Sequence, residues 1–161
     1  MNEQIIIRKA TRIDLSDVVT LWEEHQEYHA ECDPYFERSK DANPGFQKYL
    51  EDHLEELILY VAVADEKMVG FVLGEVARRP PCFASREYGM IDDLAVTAAW
   101  RGQGIGQKLV GRMMEWFTER RIHRIETRVL ISNPLASKFW KKSGFDAYMS
   151  FVYKDVEYRN G

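Results

Sequence analysis

Long apolar runs are missing from this 161-residue chain, and none approaches the roughly 18 residues that a membrane-spanning helix requires. Cysteine is scarce. Cys32 and Cys82 are the only two, without the paired spacing of a disulfide framework or metal site, which suits a reducing cytoplasm. No Lys/Arg tract or strongly basic total is present, which argues against nucleic-acid binding. The opening Met1-Asn2-Glu3-Gln4 has no basic stretch leading into apolar residues, so a secretory signal is not expected. Repeats, low-complexity tracts and linkers are also absent. The length fits one domain over residues 1–161.

Charge is plentiful and unevenly placed. Residues 14–57 hold 13 Asp and Glu against three Lys and Arg, a balance of −10, so the remainder carries +6 of the total −4. An acidic first third beside a basic remainder can draw a cationic acceptor and an anionic cofactor to different faces.

Hydrophobic spacing orders the chain. Ile5 to Arg8 reads as a buried strand. Thr11 or Asp14 is placed to cap a helix carrying Leu15, Val18, Val19, Leu21, Trp22 and Tyr28 at helical spacing. Asp33-Pro34 ends that helix, and a second runs from about Gly45 to Leu57. The period then falls to two over residues 59–64 and 69–76, joined at Asp65-Glu66-Lys67 as a hairpin. A third strand spans about Tyr88 to Val96. A helix bearing Ile105, Leu109, Val110, Met113, Trp116 and Phe117 follows. A strand at 124–130, a short helix at 134–143 and a last strand region at 145–156 complete the pattern. The expected order is βααβββαβαβ, an α/β mixed sheet with helices packed on it.

Between the third strand and its helix lies Arg101-Gly102-Gln103-Gly104-Ile105-Gly106. Glycines let the backbone curl tightly around an anion, and the N–H groups of a helix start point at it with the helix dipole. Spacing excludes two phosphate ligand classes. A dinucleotide fingerprint needs glycine two and five positions after the first, but the fifth falls on Gln107 or Leu109. A P-loop needs a Gly-Lys-Ser/Thr ending, which is absent.

Arg-x-x-Gly-x-Gly after Asp92-Asp93-Leu94-Ala95-Val96 resembles the pyrophosphate loop of the GNAT N-acetyltransferases. Asn133-Pro134-Leu135-Ala136 and Phe139-Trp140-Lys141-Lys142-Ser143-Gly144-Phe145 resemble that family's last helix and the turn after it. These pieces cover about Tyr88 to Phe145, and the order of elements agrees along the whole chain. The resemblance implies acetyl-coenzyme A as cosubstrate. Its pantetheine arm would pair with the backbone of Leu94, Ala95 and Val96, its pyrophosphate with Arg101, Gly102, Gln103, Gly104, Ile105 and Gly106, and its amides with Asn133. Asn133 can equally cap the helix that starts at Pro134. A homodimer is a further expectation from the resemblance alone.

Acetyl transfer to a primary amine needs a base for the amine, donors for the thioester oxygen and a fate for the thiolate. Asp92 is the preferred base, with Asp93 second. As neighbours on a regular strand they would point to opposite faces. Trp140 stands where the family often has Tyr, and an indole cannot supply a proton at neutral pH, which leaves Tyr148 or water to protonate the thiolate. Trp140 would then border the cofactor. The acceptor is expected to be a cationic small-molecule or protein amine. The alternative is a non-catalytic acyl-coenzyme A sensor or interaction module, for which Trp140 speaks. His25 and His29, at i and i+4, make at most half a metal site, so no metal is expected, and they are candidates for lining an acceptor pocket with Tyr35 and Phe36.

Overall fold

The computed structural model describes residues 4–157. Its elements run β1 (Ile6–Lys9), α1 (Leu15–Cys32), α2 (Ala42–His53), β2 (Ile58–Ala64), β3 (Lys67–Arg78), β4 (Glu87–Val96), α3 (Ile105–Glu119), β5 (Ile125–Thr127) and α4 (Pro134–Lys142). The five strands form one sheet in the order β1-β2-β3-β4-β5. Pairing is antiparallel from β1 to β4 and parallel between β4 and β5. The mixed α/β sheet expected from the sequence is therefore present.

Alternation along the central strands gives the sheet two apolar faces. One carries Leu59, Val61, Phe71, Leu73 and Ala95 against Leu15, Val18 and Leu21 of α1 and Leu50 of α2. The other carries Tyr60, Ala62, Val72 and Ile91 against Ile105, Leu109, Met113 and Phe117 of α3. The 3.6-residue spacing read on both long helices is thus the spacing of their buried stripes.

Local chemistry sets the boundaries. The Asp14 carboxylate accepts from the N–H and hydroxyl of Thr11, at 2.7 and 2.9 Å, and from both terminal nitrogens of Arg8. These bonds hold the end of β1 to the start of α1 and keep Asp14 well below the usual carboxylate range, the Arg8 hydrogen bonds being the main cause. Helix α2 begins three residues earlier than expected. Pro44 lies in its first turn, where a missing N–H leaves no bond unmade. At the β2–β3 hairpin, Asp65 and Glu66 both have positive φ, 47° and 63°, as a two-residue turn that follows the strand twist requires.

The C-terminal third departs from expectation. The strand expected at 124–130 is confined to Ile125–Thr127, because its pairing with β4 stops at the Ile91–Thr127 pair. The strand expected at 145–156 is not formed, and residues 146–157 carry no regular structure. Within the described residues the order is βααβββαβα.

Gly74 reports how closely the layers approach. A Cβ there would sit 2.5 Å from the Met90 carbonyl oxygen and 2.8 Å from Met113 Sδ, and the first is backbone that cannot turn aside. Gly74→Ala is expected to destabilise the fold by about 1–3 kcal/mol, as overpacking of a full core does, measured as a lower urea midpoint with an unchanged slope.

Candidate active site

The site is built where β4 and β5 separate. Their last paired residues are Ile91 and Thr127, and Thr127 Oγ1 also donates to the Ile91 carbonyl at 3.0 Å. β4 continues for five more residues, to Val96, paired only with β3. Thr97 N–H bonds to the Val69 carbonyl. The alternation of an antiparallel ladder then turns the backbone of Ala95 toward β3, and the N–H and C=O of Leu94 and the N–H of Val96 toward the open edge, the Val96 carbonyl being bonded to Arg101. Of the residues 94–96 expected to meet the arm, Ala95 is the one whose backbone is taken up by β3.

Register on the β3 side explains the acidic pair. Leu73 faces Asp93 but Gly74 faces Ile91, so Asp92 is the extra residue of a β-bulge, which breaks the two-residue alternation. The expectation that the two carboxylates address opposite faces does not hold. Both, with Glu75, raise the hydroxyl of Tyr49 on α2, although burial is the larger cause. Asp93 turns toward α1, where it accepts from Gln26 Nε2 at 3.2 Å and lies 3.9 Å from His25 Nε2, too far for a hydrogen bond.

Electrostatics set these groups apart from ordinary surface carboxylates. Burial first, then repulsion by Asp92, pushes Asp93 up to about 7, against the Gln26 bond. Asp92 is more open to solvent. Desolvation and the Glu75 carboxylate push it up to about 6, while Arg128 pulls it down. Burial, then His29 and Arg101, hold His25 down to about 4, so its ring is neutral at pH 7. Its ring centroid is 4.2 Å from that of His29. No group of three or more metal-ligating side chains occurs among the described residues.

Beyond Val96 the chain turns through residues 98–100 into the glycine loop. Gly102 and Gly104 take φ of 78° and 80°, a conformation that costs other residues about 1–2 kcal/mol, and open space lies where their Cβ atoms would be. Gly104 caps α3, so the N–H groups of Ile105, Gly106 and Gln107 lack intrahelical acceptors. Gly106 serves packing instead, since a Cβ there would come within 3.1 Å of the Phe139 ring. Arg101 turns back, with Nε donating to the Val96 carbonyl at 2.8 Å and Nη2 to Glu24 of α1 at 3.3 Å. A curled loop with free N–H groups, next to an open strand edge, is a fitting cradle for a pyrophosphate carrying an amide-rich arm.

Comparison with known proteins agrees with this geometry. The model of the GNAT acetyltransferase family matches residues 19–145. The chain belongs to the GNAT acetyltransferase family. Uncharacterised N-acetyltransferases of Archaeoglobus fulgidus and Methanocaldococcus jannaschii are 31% and 29% identical to it, over 83% and 87% of its length. The matches cover 88% of the first relative and 60% of the second, so the chain spans under two thirds of the latter. L-amino acid N-acetyltransferase AaaT of Escherichia coli is 28% identical over 98% of this chain and 91% of its own. Among solved structures, a mutant Bacillus halodurans protein superposes with a TM-score of 0.82 at 24% identity, covering 94% of this chain and 99% of its own. A predicted acetyltransferase of Clostridium acetobutylicum, solved with acetyl-CoA, gives 0.77 at 20% identity, covering 94% of this chain and 96% of its own. The aminoglycoside N-acetyltransferase AAC(6')-Iy, solved with CoA, gives 0.73 at 15% identity, covering 97% of each.

The remaining residues singled out from this family resemblance have defined places. Asn133 is buried and its Oδ1 accepts from Ala136 N–H at 3.0 Å, which makes it the cap of α4 while its Nδ2 remains a possible donor. Trp140 is in the core, edge-on to both Phe139 and Phe145. Tyr148 Oη donates to Glu126 at 2.7 Å and its ring lies under Arg124, while Arg79 and Arg124 also bind that buried carboxylate. Tyr35 is exposed and Phe36 partly so, the two rings meeting edge to face. Sequence reasoning missed Glu75, Gln26 and Tyr49. For Glu75 a signal existed, because period two on β3 places it on the same face as Leu73.

A carboxylate raised by burial holds its proton longer when folded than when unfolded, so it lowers stability as pH rises from its unfolded value toward its folded one. Asp93→Asn, which keeps a partner for Gln26, is therefore expected to melt several degrees above the parent at pH 8. The difference should close near pH 4, as thermal unfolding across that range would show.

Proposed function

We propose that the chain is an acetyl-coenzyme A-dependent N-acetyltransferase acting on a cationic primary amine, of a small molecule or a protein. The observation that carries this reading is the parting of β4 from β5 directly beside a glycine loop at a helix start. Leu94 would pair with the pantetheine arm through its open N–H and C=O and Val96 through its N–H, and the loop from Arg101 to Gly106 would hold the pyrophosphate. Asn133 Nδ2 would donate to an amide of the arm, and Trp140 would back the site from the core without touching the reacting atoms. A core position explains Trp140 by packing, so it no longer favours a non-catalytic sensor.

Asp92, at the mouth of the gap, takes the proton of the acceptor amine directly or through water. Its raised pKa places it near the working range of a general base. The amine nitrogen then bonds to the acyl carbon, the carbonyl oxygen is met by the free N–H of Val96 or Leu94, and the carbon–sulfur bond breaks. Asp93 holds Gln26 and adds negative charge that favours a cationic acceptor. Water protonates the departing thiolate, because the Tyr148 hydroxyl is already bonded to Glu126. His25, neutral and lining α1, borders the acceptor. Both cysteines are free thiols, which goes with a cytoplasmic setting, and no described helix is long and apolar enough to cross a membrane.

Coenzyme A release against a panel of amines is the direct test. Activity is expected to rise through about pH 6–7 as the base ionises, and Asp92→Asn is expected to lower kcat by about 10²–10⁴-fold. No turnover with any amine would overturn the reading. Gly104→Val should act differently, raising KM for acetyl-coenzyme A by roughly tenfold, the equivalent of about 1–2 kcal/mol of backbone strain, with kcat nearly unchanged.

A further inference from the structure

We propose that Glu24 of α1 is a positioning residue for the donor, fixing the offset between the open edge of β4 and the glycine loop. This rests on the acetyl-transfer reading, in which one ligand spans both. The helix itself points to such a residue. Val18 and Leu21 belong to the buried stripe of α1, and Glu24, His25 and Tyr28 continue it at three- and four-residue spacing. The stripe turns polar where it passes the end of β4, and what it meets there is polar as well.

Gln26 bonds to Asp93, while Glu24 reaches past the strand to the turn at residues 98–100. Its Oε1 accepts from Ala98 N–H at 3.2 Å and from Arg101 Nη2 at 3.3 Å. Ala98 opens that turn, so its N–H has no acceptor within it, and Glu24 caps it from 74 positions away. Arg101 Nε meanwhile donates to the Val96 carbonyl. Val96, Arg101, Glu24 and Ala98 thus form a closed ring of contacts around the chain as it leaves the open edge and enters the loop. Before the ring, Thr97 is pinned to Val69 of β3; after it, Ile105 is buried in the core. Between these anchors Trp100 packs against the core on the α3 side. Among the described residues, the hydrogen bonds between α1 and residues 97–104 both end on Glu24.

A ligand held at two places binds best when the distance between them is already set, because a slack joint must be ordered as it binds. The Arg101 side chain, committed to Val96 and Glu24, braces the loop rather than the ligand. Glu24 and Arg101 are 41 and 47% exposed, so their contact adds little to global stability. Positioning is therefore separable from folding.

Calorimetric titration with coenzyme A tests this. Glu24→Ala, a change that suits a helix, is expected to weaken binding by about fivefold to tenfold, the loss of charge-assisted hydrogen bonds partly open to water. Glu24→Gln keeps an oxygen for Ala98 N–H and should restore most of the affinity. Melting temperatures of the parent and both variants should agree within about 3 °C. In steady state, KM for acetyl-coenzyme A should rise in Glu24→Ala by the same factor, with kcat and the KM for the amine near the parent values. Arg101→Ala combined with Glu24→Ala should weaken binding by less than the product of the two separate effects, since both break one ring. Unchanged affinity in Glu24→Ala, or no recovery in Glu24→Gln, would overturn this inference and leave the acetyl-transfer reading standing. So would a loss spread over kcat and both KM values. A parent chain that does not bind coenzyme A would overturn both.

Discussion

Everything in the proposed donor half of the site depends on one interruption, the end of hydrogen bonding between β4 and β5 after Ile91 and Thr127. A parallel pair that continued to Val96 would close the sheet there, satisfy the backbone of Leu94 and Val96 internally and leave no edge for an extended ligand. The interruption is stable because β4 is held along its whole length by β3 and backed on both faces by apolar layers. Thr127 Oγ1 and the Ile91 carbonyl close the last joint. The gap is therefore a rigid feature of two well-supported strands.

The bulge at Asp92 adds what we propose as the acceptor half. One extra residue on β4 moves Ile91 onto the α3 face, in one apolar cluster with Val72 and Met113, and leaves Asp92 and Asp93 both on the side of α1 and α2. Without it, strict alternation would place one carboxylate among the apolar side chains under α3, at a cost the core could not absorb. The same insertion thus supplies two neighbouring carboxylates that burial shifts toward neutrality, with added repulsion from Glu75 on Asp92 and from Asp92 on Asp93. Their unusual acidity follows from backbone register as much as from composition.

The sequence disclosed what is periodic and local. The stripes of α1 and α3, the β2–β3 hairpin and the glycine loop all follow from spacing, and each formed within a few residues of its expected place. What it hid is long-range. Pairing across the sheet decides that Ala95 faces β3 while Leu94 and Val96 face the gap, and no pattern in residues 92–96 encodes that partition. The bulge left only a faint trace, two acidic residues in a run that should alternate. Gln26 meets Asp93 across 67 positions of chain, a contact made by packing α1 on β4. Residues 145–156 have strand composition, yet none of them pairs with the sheet among the described residues, because composition favours a strand without supplying an edge for it.

The neutral His25 has a consequence for how an acceptor would be drawn in. Were its ring protonated near neutrality, it would set a positive charge 3.9 Å from Asp93 and cancel much of the field that the carboxylates project. Because burial, then His29 and Arg101, hold it down to about 4, it adds no positive charge beside Asp93 as the two carboxylates ionise near neutrality. As these two ionise, the cleft strengthens its pull on cations over the same pH interval in which it becomes able to remove a proton from one. In the proposed reaction, capture and chemical competence would then rise together with one pair of groups.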